Sequence, residues 1–237
     1  MSVMPKAKDK KKKKNKPMIA DSADRYVYYQ KAVQVPEEDV AFMQRVFKDE
    51  FGSRPKTLRE DFCGTALCAC SWVEAGKDNR VWGVDLDPEP IEWGKKHNLS
   101  QLNDEQRSRV TLIEGNAMDG GTPPVDVVTA LNFSYYCFRE RQELLRYFRA
   151  AHSNLGDRGL FVIDMEGGWE ALDDGREERE EEGFTYVWEQ EEFNAIDHHV
   201  RCKIHFEFED GSVMEDAFTY DWRIWTLPEI RDLLIEA

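Results

Sequence analysis

The run from residue 57 to residue 87 constrains the fold more than any other part of the sequence. It predicts a strand (Thr57–Asp61), a tight turn, a helix of small residues (Leu67–Ala75) and a second strand (Arg80–Val84) that ends on Asp85. A tight turn lets the backbone approach a ligand, and a carboxylate about 20 residues further on can accept hydrogen bonds from both hydroxyls of a ribose. The sequence therefore predicts a site for the adenosine part of a cofactor.

Strand and helix signals continue to alternate as far as residue 168. Helices are predicted over Pro88–His97, which has proline in its first turn, and over Glu140–Leu155, which should end at Gly156. The three further strands are predicted over Val110–Ile113, Val125–Leu131 and Leu160–Met165. This alternation favours an α/β fold with a doubly wound, Rossmann-like parallel sheet, which binds ligands at the carboxyl ends of its strands.

After residue 168 the pattern predicts a small antiparallel β insertion. The segment Asp173–Glu182 is strongly acidic, and we interpret it as a solvated loop or helix face. Alternating apolar and polar residues then predict antiparallel strands over Phe184–Trp188, Val200–Glu209 and Val213–Arg223. A turn at Asp210-Gly211 joins the last two strands, and Thr226 caps a final helix. Residues 169–237 are thus predicted to form an antiparallel segment, in contrast to the alternating strands and helices of the core, residues 57–168.

Charge is distributed unevenly along the chain. Residues 1–17 contain eight lysines and one aspartate, whereas the formal net charge of the whole chain is −15. Residues 1–20 are therefore predicted to be a disordered lysine-rich tail, which solubilises the protein, contacts nucleic acid or serves as a nuclear address. The remaining acidic body would repel phosphate backbones, so we do not expect it to bind a large nucleic acid.

Between the tail and the core, residues 21–56 are predicted to form a helical lid. Ser22–Phe51 should consist of two helices that meet at Pro36. Tyr26, Tyr28 and Tyr29 are candidates for closing over a ligand, although packing would explain them equally well.

The number of cysteines and the hydropathy of the sequence indicate the cellular location of the protein. Five cysteines are an odd number in an enzyme-sized chain, which favours reduced thiols and a cytoplasmic protein. Cys68 and Cys70 are interpreted as small apolar residues of a helix, and Cys63 as a turn residue whose backbone matters more than its sulfur, so no metal site is predicted. No apolar run approaches the ~20 residues of a membrane span, so no membrane partner is expected.

Five segments resemble, in the expected order, the motifs of class I S-adenosylmethionine-dependent methyltransferases. Glu60–Ala66 (EDFCGTA) resembles a variant of the first motif, and Val84–Asp87 resembles the second. Glu114–Asp119 is similar to the adenine-contacting motif, Val125–Asn132 to the strand-four motif and Leu155–Ile163 to the lead into strand five. A nicotinamide dehydrogenase is disfavoured because the motif G-x-G-x-x-G is absent.

The resemblance implies S-adenosylmethionine as cofactor and a set of residues that bind it. These are Glu60, Phe62, Cys63, Gly64, Ala66, Asp85, Leu86, Asn116, Ala117 and Leu131. Asp61 could replace Glu60 as the acidic residue. Phe62 stands where the family usually has glycine, so the turn should take another path or bury the ring beneath the cofactor. The family normally adds strands six and seven, so the sheet should lack them or the sequence is a fragment.

The methyl acceptor is predicted to be a small molecule, methylated at nitrogen or oxygen. Asn132, Tyr135 and Tyr136 follow strand four, where the family commonly places groups that face the acceptor; a polar loop with aromatic packing is an equal alternative. The antiparallel segment is similar to the substrate-side insertion of glycine- and sarcosine-type N-methyltransferases. Its aromatic residues should roof the cleft: Tyr186, Trp188, Phe193, Trp222 and Trp225.

Two alternatives remain at this point. One is an RNA or protein methyltransferase recruited by the lysine-rich tail. The other is a non-catalytic Rossmann-like binding protein, which Phe62 and the missing strands would favour.

Overall fold

A computed structural model describes residues 17–168 and 170–237. The first sixteen residues of the predicted tail lie outside the described part. Residues 17–20 lead into a short 3₁₀ turn, Ile19–Asp21, that is tied to a distant loop. The backbone N–H of Ile19 donates to the Asp210 carboxylate at 2.8 Å, and that of Ala20 donates to the Ser212 hydroxyl at 3.1 Å.

The first layer is a five-stranded parallel sheet. Its strands are β1 (Thr57–Asp61), β2 (Arg80–Asp85), β3 (Val110–Glu114), β4 (Val125–Ala130) and β5 (Leu155–Ile163). Their order across the sheet is β3-β2-β1-β4-β5, and all neighbours are parallel. The strand order reverses between β1 and β4, which is where open α/β sheets bind ligands. The predicted fold class is confirmed.

Helices cover both faces of this sheet. The α-helices of the described residues are α1 (Arg25–Val33), which packs elsewhere, α2 (Pro36–Phe51), α3 (Leu67–Glu74), α4 (Pro88–His97), α5 (Asp104–Arg107), α6 (Arg141–Ser153) and α7 (Leu227–Glu236). On one face, α2 and α3 bury Met43, Trp72 and their neighbours against Leu58. On the other face, α6 buries Leu144 and Phe148 against apolar residues of β4 and β5. Successive strand residues alternate between these two cores.

The second layer is an antiparallel sheet of four strands. These are β6 (Gly175–Glu181), β7 (Phe184–Gln190), β8 (His199–Phe208) and β9 (Val213–Arg223), in that order across the sheet. Helix α1 packs on this sheet, with the Tyr28 ring 4.9 Å from Phe184 and 5.0 Å from Phe208, measured between centroids. Because α2 packs on the parallel sheet, the two helices bridge the layers. The expected break between them lies at Pro36.

The acidic segment was wrongly predicted as a loop or helix face, because it forms the edge strand β6. Its side chains are mostly exposed, so an edge position hides few charges. The charges are also paired at a spacing of two residues, with one pair on each face of the strand. Arg176 contacts Glu178 at 3.1 Å, and Arg179 contacts Glu181 at 2.7 Å.

The predicted boundary between α6 and β5 was also wrong. The helix ends at Ser153, and Leu155 and Gly156 already belong to β5. Asn154 ends the helix by donating from its side chain to the Ala150 carbonyl at 2.8 Å, while its own carbonyl accepts from Val125 on β4. Strand β5 lies at the edge of the parallel sheet and is half-buried.

Among the described residues, no helix is both long enough and apolar enough to cross a membrane.

Candidate active site

A first cavity, of about 490 Å³, opens at the carboxyl ends of β1 and β2. The turn after β1 forms its floor through Phe62, Cys63, Gly64 and Thr65. Its far wall comes from α1 and from residues 216–220 of β9, so both layers of the molecule enclose it. We refer to it as the turn cavity.

The turn repeats the left-handed backbone conformation at alternate residues. The φ angles are 59° at Phe62, 51° at Gly64 and 58° at Ala66. Phe62 thus has a left-handed backbone conformation, which glycine adopts freely. For a residue other than glycine this conformation costs strain on the order of 1–3 kcal/mol. Its ring packs away from the turn, with centroids 5.5 Å from Tyr147 and 6.0 Å from Phe138, and this aromatic packing offsets the strain.

Glycine is required at two places around the turn for different reasons. A Cβ added at Gly64 would meet no atom within 4 Å, and because Gly64 lines the turn cavity, the empty space is the cavity itself. A Cβ added at Gly94 of α4 would lie 2.2 Å from the Thr65 carbonyl oxygen. The first glycine keeps the cavity open, and the second lets α4 approach the turn.

Asp85 lines the turn cavity and fixes its floor. One carboxylate oxygen accepts the Gly64 N–H at 2.7 Å, and the other accepts the Asp87 N–H at 2.9 Å. Burial raises the pKa of Asp85 above its ordinary value, while these backbone hydrogen bonds lower it. Each oxygen retains a further lone pair that can accept a ligand hydroxyl. Asp87 caps α4 by accepting the Glu89 N–H at 2.9 Å, as expected.

Glu60 and Asp61 lie on opposite faces of β1 in contrasting environments. Asp61 is bound by the Arg59 guanidinium at 2.7 Å and by the Tyr147 hydroxyl at 3.1 Å. The Oε2 atom of Glu60 is buried and has no hydrogen-bond partner among the described residues. Burial raises the pKa of Glu60 to about 8. Glu60 is therefore the less constrained of the two carboxyls, but it does not line the turn cavity.

The other residues expected to bind the cofactor do not line the turn cavity. Ala117 is buried, with its carbonyl accepting from Arg59 at 2.8 Å, and Leu86 is 71% exposed. The Asn116 side chain accepts the Met118 N–H at 2.9 Å. Ala66 and Leu131 pack in the core between α3 and the sheet. Their contacts with a cofactor stay predictions.

A second cavity, of about 420 Å³, adjoins the first. Both are lined by Tyr29, Asn132 and Tyr220, so these three side chains stand at the boundary. The walls of the second cavity are aromatic and acidic; they include Phe133, Tyr186, Trp188, Trp222, Asp164, Glu166 and Glu177. We refer to it as the aromatic cavity.

Asn132 is held at this boundary by a strained backbone. Asn132 and Phe133 have consecutive φ angles of 56° and 55°. Their backbone N–H groups donate to the two carboxylate oxygens of Asp164, at 2.7 Å and 2.9 Å. Tyr135 and Tyr136 are fully buried behind this segment and line neither cavity. Of the three candidate acceptor residues, the structure brings only Asn132 to the cleft.

The predicted roof is present in part. Tyr186, Trp188 and Trp222 line the aromatic cavity. Trp225 is buried in the core instead, and Phe193 packs against His198 with centroids 5.2 Å apart. Of the lid tyrosines, Tyr26 and Tyr29 line the turn cavity, while Tyr28 packs on the antiparallel sheet.

No protein-family model matches the sequence, and no curated protein matches it. Solved structures, in contrast, match this chain. An S-adenosylmethionine-dependent methyltransferase from Clostridium acetobutylicum matches with a TM-score of 0.69 and 19% identity, over 89% of this chain and 84% of that one. The chain has the fold of these methyltransferases.

Two further solved structures with this fold belong to enzymes whose acceptors are known more specifically. A sugar N-methyltransferase from a Streptoalloteichus species matches with a TM-score of 0.66 and 18% identity, over 98% of this chain and 89% of that one. An amino pentose methyltransferase from Micromonospora echinaspora, solved with S-adenosylmethionine bound, matches with a TM-score of 0.69 and 16% identity, over 90% and 86%. The resemblance stated from the motifs is thus confirmed at the level of the fold.

Within this methyltransferase fold, the sequence reasoning missed the carboxylates of the aromatic cavity. Asp164 and Glu166 directly follow β5, at the same carboxyl edge as Asp85 and Asn132. The rule that places ligands at this edge could have found them. Glu177 lies on β6 and could not be found, because its segment was not recognised as a strand.

The five cysteines are free thiols, and four of them are buried. In residues 17–168 and 170–237, no cluster of three or more histidine, cysteine or acidic side chains could hold a metal ion.

Proposed function

We propose that this protein is an S-adenosylmethionine-dependent methyltransferase that acts on a small-molecule acceptor. The observation that carries the proposal is the pair of adjoining cavities across Asn132. One is bounded by the turn and Asp85, as a nucleoside site requires, and the other by aromatic side chains that exclude water. The fold that the chain shares with methyltransferases of sugars and of an amino pentose supports it.

The residues of the turn cavity fit the proposed cofactor. Space beside Gly64 would take the methionine part, and Asp85 would accept the ribose hydroxyls. Glu60 does not line the cavity, but its buried Oε2 atom, which has no partner among the described residues, would be stabilised by a cationic group bound nearby. We extend the proposal to adenine contacts from Asn116 and Ala117, with Leu86 on the outer face. When bound, the cofactor supplies an electrophilic methyl group.

The contribution of the protein to such a reaction is mainly placement. Orientation of two reactants in a dry site can supply roughly 7–11 kcal/mol of the barrier. Asn132, held rigidly by Asp164 at the boundary of the two cavities, is the residue best placed to orient the acceptor. Tyr29 and Tyr220 complete the boundary and limit the access of water.

The alternatives receive less support. A non-catalytic protein was favoured partly because Phe62 stands where the methyltransferase family usually has glycine. Phe62 nevertheless has a left-handed φ of 59°, a conformation that glycine adopts freely. An RNA acceptor would have to approach an acidic surface. On the odd number of cysteines we also propose a cytoplasmic location.

A methylation assay against pooled amines, carboxylates, phenols and RNA tests this function. We expect transfer of labelled methyl groups to a small-molecule pool, unchanged when residues 1–17 are deleted. Robust transfer to RNA that is lost in the deletion variant would overturn the proposed acceptor class.

A further inference from the structure

The aromatic cavity carries more negative charge than a site for a neutral acceptor needs. Asp164, Glu166 and Glu177 contribute carboxylates, and Arg179 is the one basic residue lining the cavity in the described part of the chain. Arg179 is already engaged: it pairs with Glu181 at 2.7 Å, donates to the Ala32 carbonyl and lies 4.9 Å from the Tyr186 ring centroid. Within residues 17–168 and 170–237, the carboxylates therefore lack a neutralising partner.

The three carboxylates are not equivalent. Both oxygens of Asp164 accept backbone N–H groups, so its role is to hold Asn132 and Phe133. The carboxylate of Glu166 makes no hydrogen bond or ion pair with any described residue. Burial and the nearby charge of Glu177 raise the pKa of Glu166 above its ordinary value. Glu166 is thus a half-buried acid with no cationic partner in the described part of the chain.

The aromatic rings suit a cation as well. Tyr220 and Trp222 stack with centroids 4.4 Å apart, and Trp188 lies 6.0 Å from Trp222 and 6.2 Å from Tyr220. The faces of tyrosine and tryptophan rings attract ammonium groups, most strongly where water is excluded. Aromatic faces and free carboxylates in one cavity favour an amine over other acceptors. A carboxylate acceptor would be repelled, and an alcohol would gain nothing from the charges.

We propose that the aromatic cavity binds the methyl acceptor as a protonated amine and that Glu166 removes its proton. The N–H bond breaks, the proton moves to the Glu166 carboxylate and the electron pair stays on nitrogen as the nucleophilic lone pair. Glu177, which also lines the cavity, strengthens the binding of the cation. This inference rests on the proposed function, of which it specifies the acceptor class.

Binding of three small aromatic probes tests the charge preference. Benzylamine, benzyl alcohol and benzoate have similar shapes but carry positive, zero and negative charge near neutral pH. Each is titrated by ligand-observed NMR into the full-length protein saturated with S-adenosylhomocysteine. We expect benzylamine to bind about tenfold more tightly than benzyl alcohol and benzoate to bind most weakly.

Matched variants assign the preference to the cavity. Glu166→Gln should weaken benzylamine about fivefold or more and leave benzyl alcohol unchanged, because only the cation loses an ionic partner. Glu178→Gln is the control, since Glu178 lies on the same strand as Glu177 but does not line the cavity. Glu178→Gln removes one negative charge, as Glu166→Gln does, but should change the affinity for neither benzylamine nor benzyl alcohol.

The outcomes distinguish a failure of the amine assignment from a failure of the proposed methyltransferase function. Equal or tighter binding of benzyl alcohol or benzoate would overturn the amine assignment, as would equal effects of Glu166→Gln and Glu178→Gln. If S-adenosylhomocysteine itself fails to bind by calorimetry, the proposed function is contradicted instead. The benzylamine titration, repeated on the protein without the nucleoside, still decides the charge preference.

Discussion

At the scale of single residues, strand geometry separates two neighbouring carboxyls that the sequence left as alternatives. Residues of a strand point to alternate faces, so Asp61 shares a face with Arg59, whereas Glu60 points toward α3. The first motif predicted an acidic residue here but not which one. The choice depends on Arg59 and Tyr147, and Tyr147 reaches Asp61 from 86 positions away in the chain.

The raised pKa of Glu60 predicts a pH-dependent stability. Between its ordinary value of 4.5 and the folded value of about 8, the folded state keeps a proton that the unfolded state has lost. The free energy of unfolding should therefore fall as pH rises through this window. Glu60→Gln mimics the protonated form and removes this contribution, so the stability of wild type should fall relative to the variant.

Chemical denaturation of both proteins without cofactor, at several pH values across the window, measures this difference. Asp39 and Asp85 also have raised pKa values, but both carboxyls are present in the two proteins, so the comparison isolates the replacement of Glu60. Parallel stability curves for wild type and Glu60→Gln would contradict the assignment.

Asp85 should decide the affinity for the nucleoside. It holds the Gly64 N–H, and its remaining lone pairs face the turn cavity. Hydrogen bonds to a charged group contribute about 1.5–3 kcal/mol each, so Asp85→Ala should weaken S-adenosylmethionine at least tenfold. Asp85→Asn, which keeps the size and one acceptor oxygen, should lose less. Unchanged affinity of Asp85→Ala by calorimetry would remove the ribose assignment.

At the scale of elements, helix starts that depend on nearby residues were predicted correctly, whereas boundaries and strands that depend on contacts with distant strands were not. Pro36, the Asp87 cap and the Thr226–Glu229 capping box lie inside or next to the helices that they start, and those starts were predicted correctly. The α6–β5 boundary depends on the backbone contact of Asn154 with Val125. Strand β6 depends on pairing with β7, which no short window of an acidic sequence can show.

Helix α1 is fastened over the turn cavity by contacts to α4 and the turn. Glu89 accepts from the Arg25 guanidinium at 2.7 Å and from the Tyr26 hydroxyl at 3.1 Å. The Gln30 side chain donates to the Thr65 hydroxyl at 2.6 Å. These contacts place α1 where a nucleoside would have to pass it to enter or leave.

Glu89→Ala removes two of these contacts at once. We expect faster association and faster dissociation of S-adenosylhomocysteine, with a smaller change in affinity, because the variant loosens the closed position of α1. Stopped-flow fluorescence measures both rates. Glu92→Ala is the control, since Glu92 lies on the same helix and pairs only with Lys95 among the described residues. Equal rates in the two variants would show that α1 does not limit access.

At the scale of the whole molecule, the cleft depends on two sheets and the helix that joins them. The sequence predicted the order of the elements, the parallel sheet and the turn with Asp85. It did not predict the division into two cavities, because Tyr29, Asn132 and Tyr220 come from three distant segments. The carboxylates that set the charge of the aromatic cavity likewise meet only in the folded chain.

The central claim is that S-adenosylmethionine binds against the turn after β1, and calorimetry of two glycine variants tests it most directly. Gly64 and Gly52 both have a left-handed φ, 51° and 72°, and a Cβ at either would meet no atom within 4 Å. Only Gly64 lines the turn cavity; Gly52 ends α2. Alanine at either position therefore introduces similar backbone strain, but only one methyl group enters the proposed site.

The account predicts that wild type and Gly52→Ala bind S-adenosylmethionine with the same affinity and do not bind NAD. Gly64→Ala should bind S-adenosylmethionine at least about tenfold more weakly, because its methyl group takes space that the ligand needs. If wild type does not bind S-adenosylmethionine, or if Gly64→Ala binds it as tightly as Gly52→Ala does, the account is contradicted.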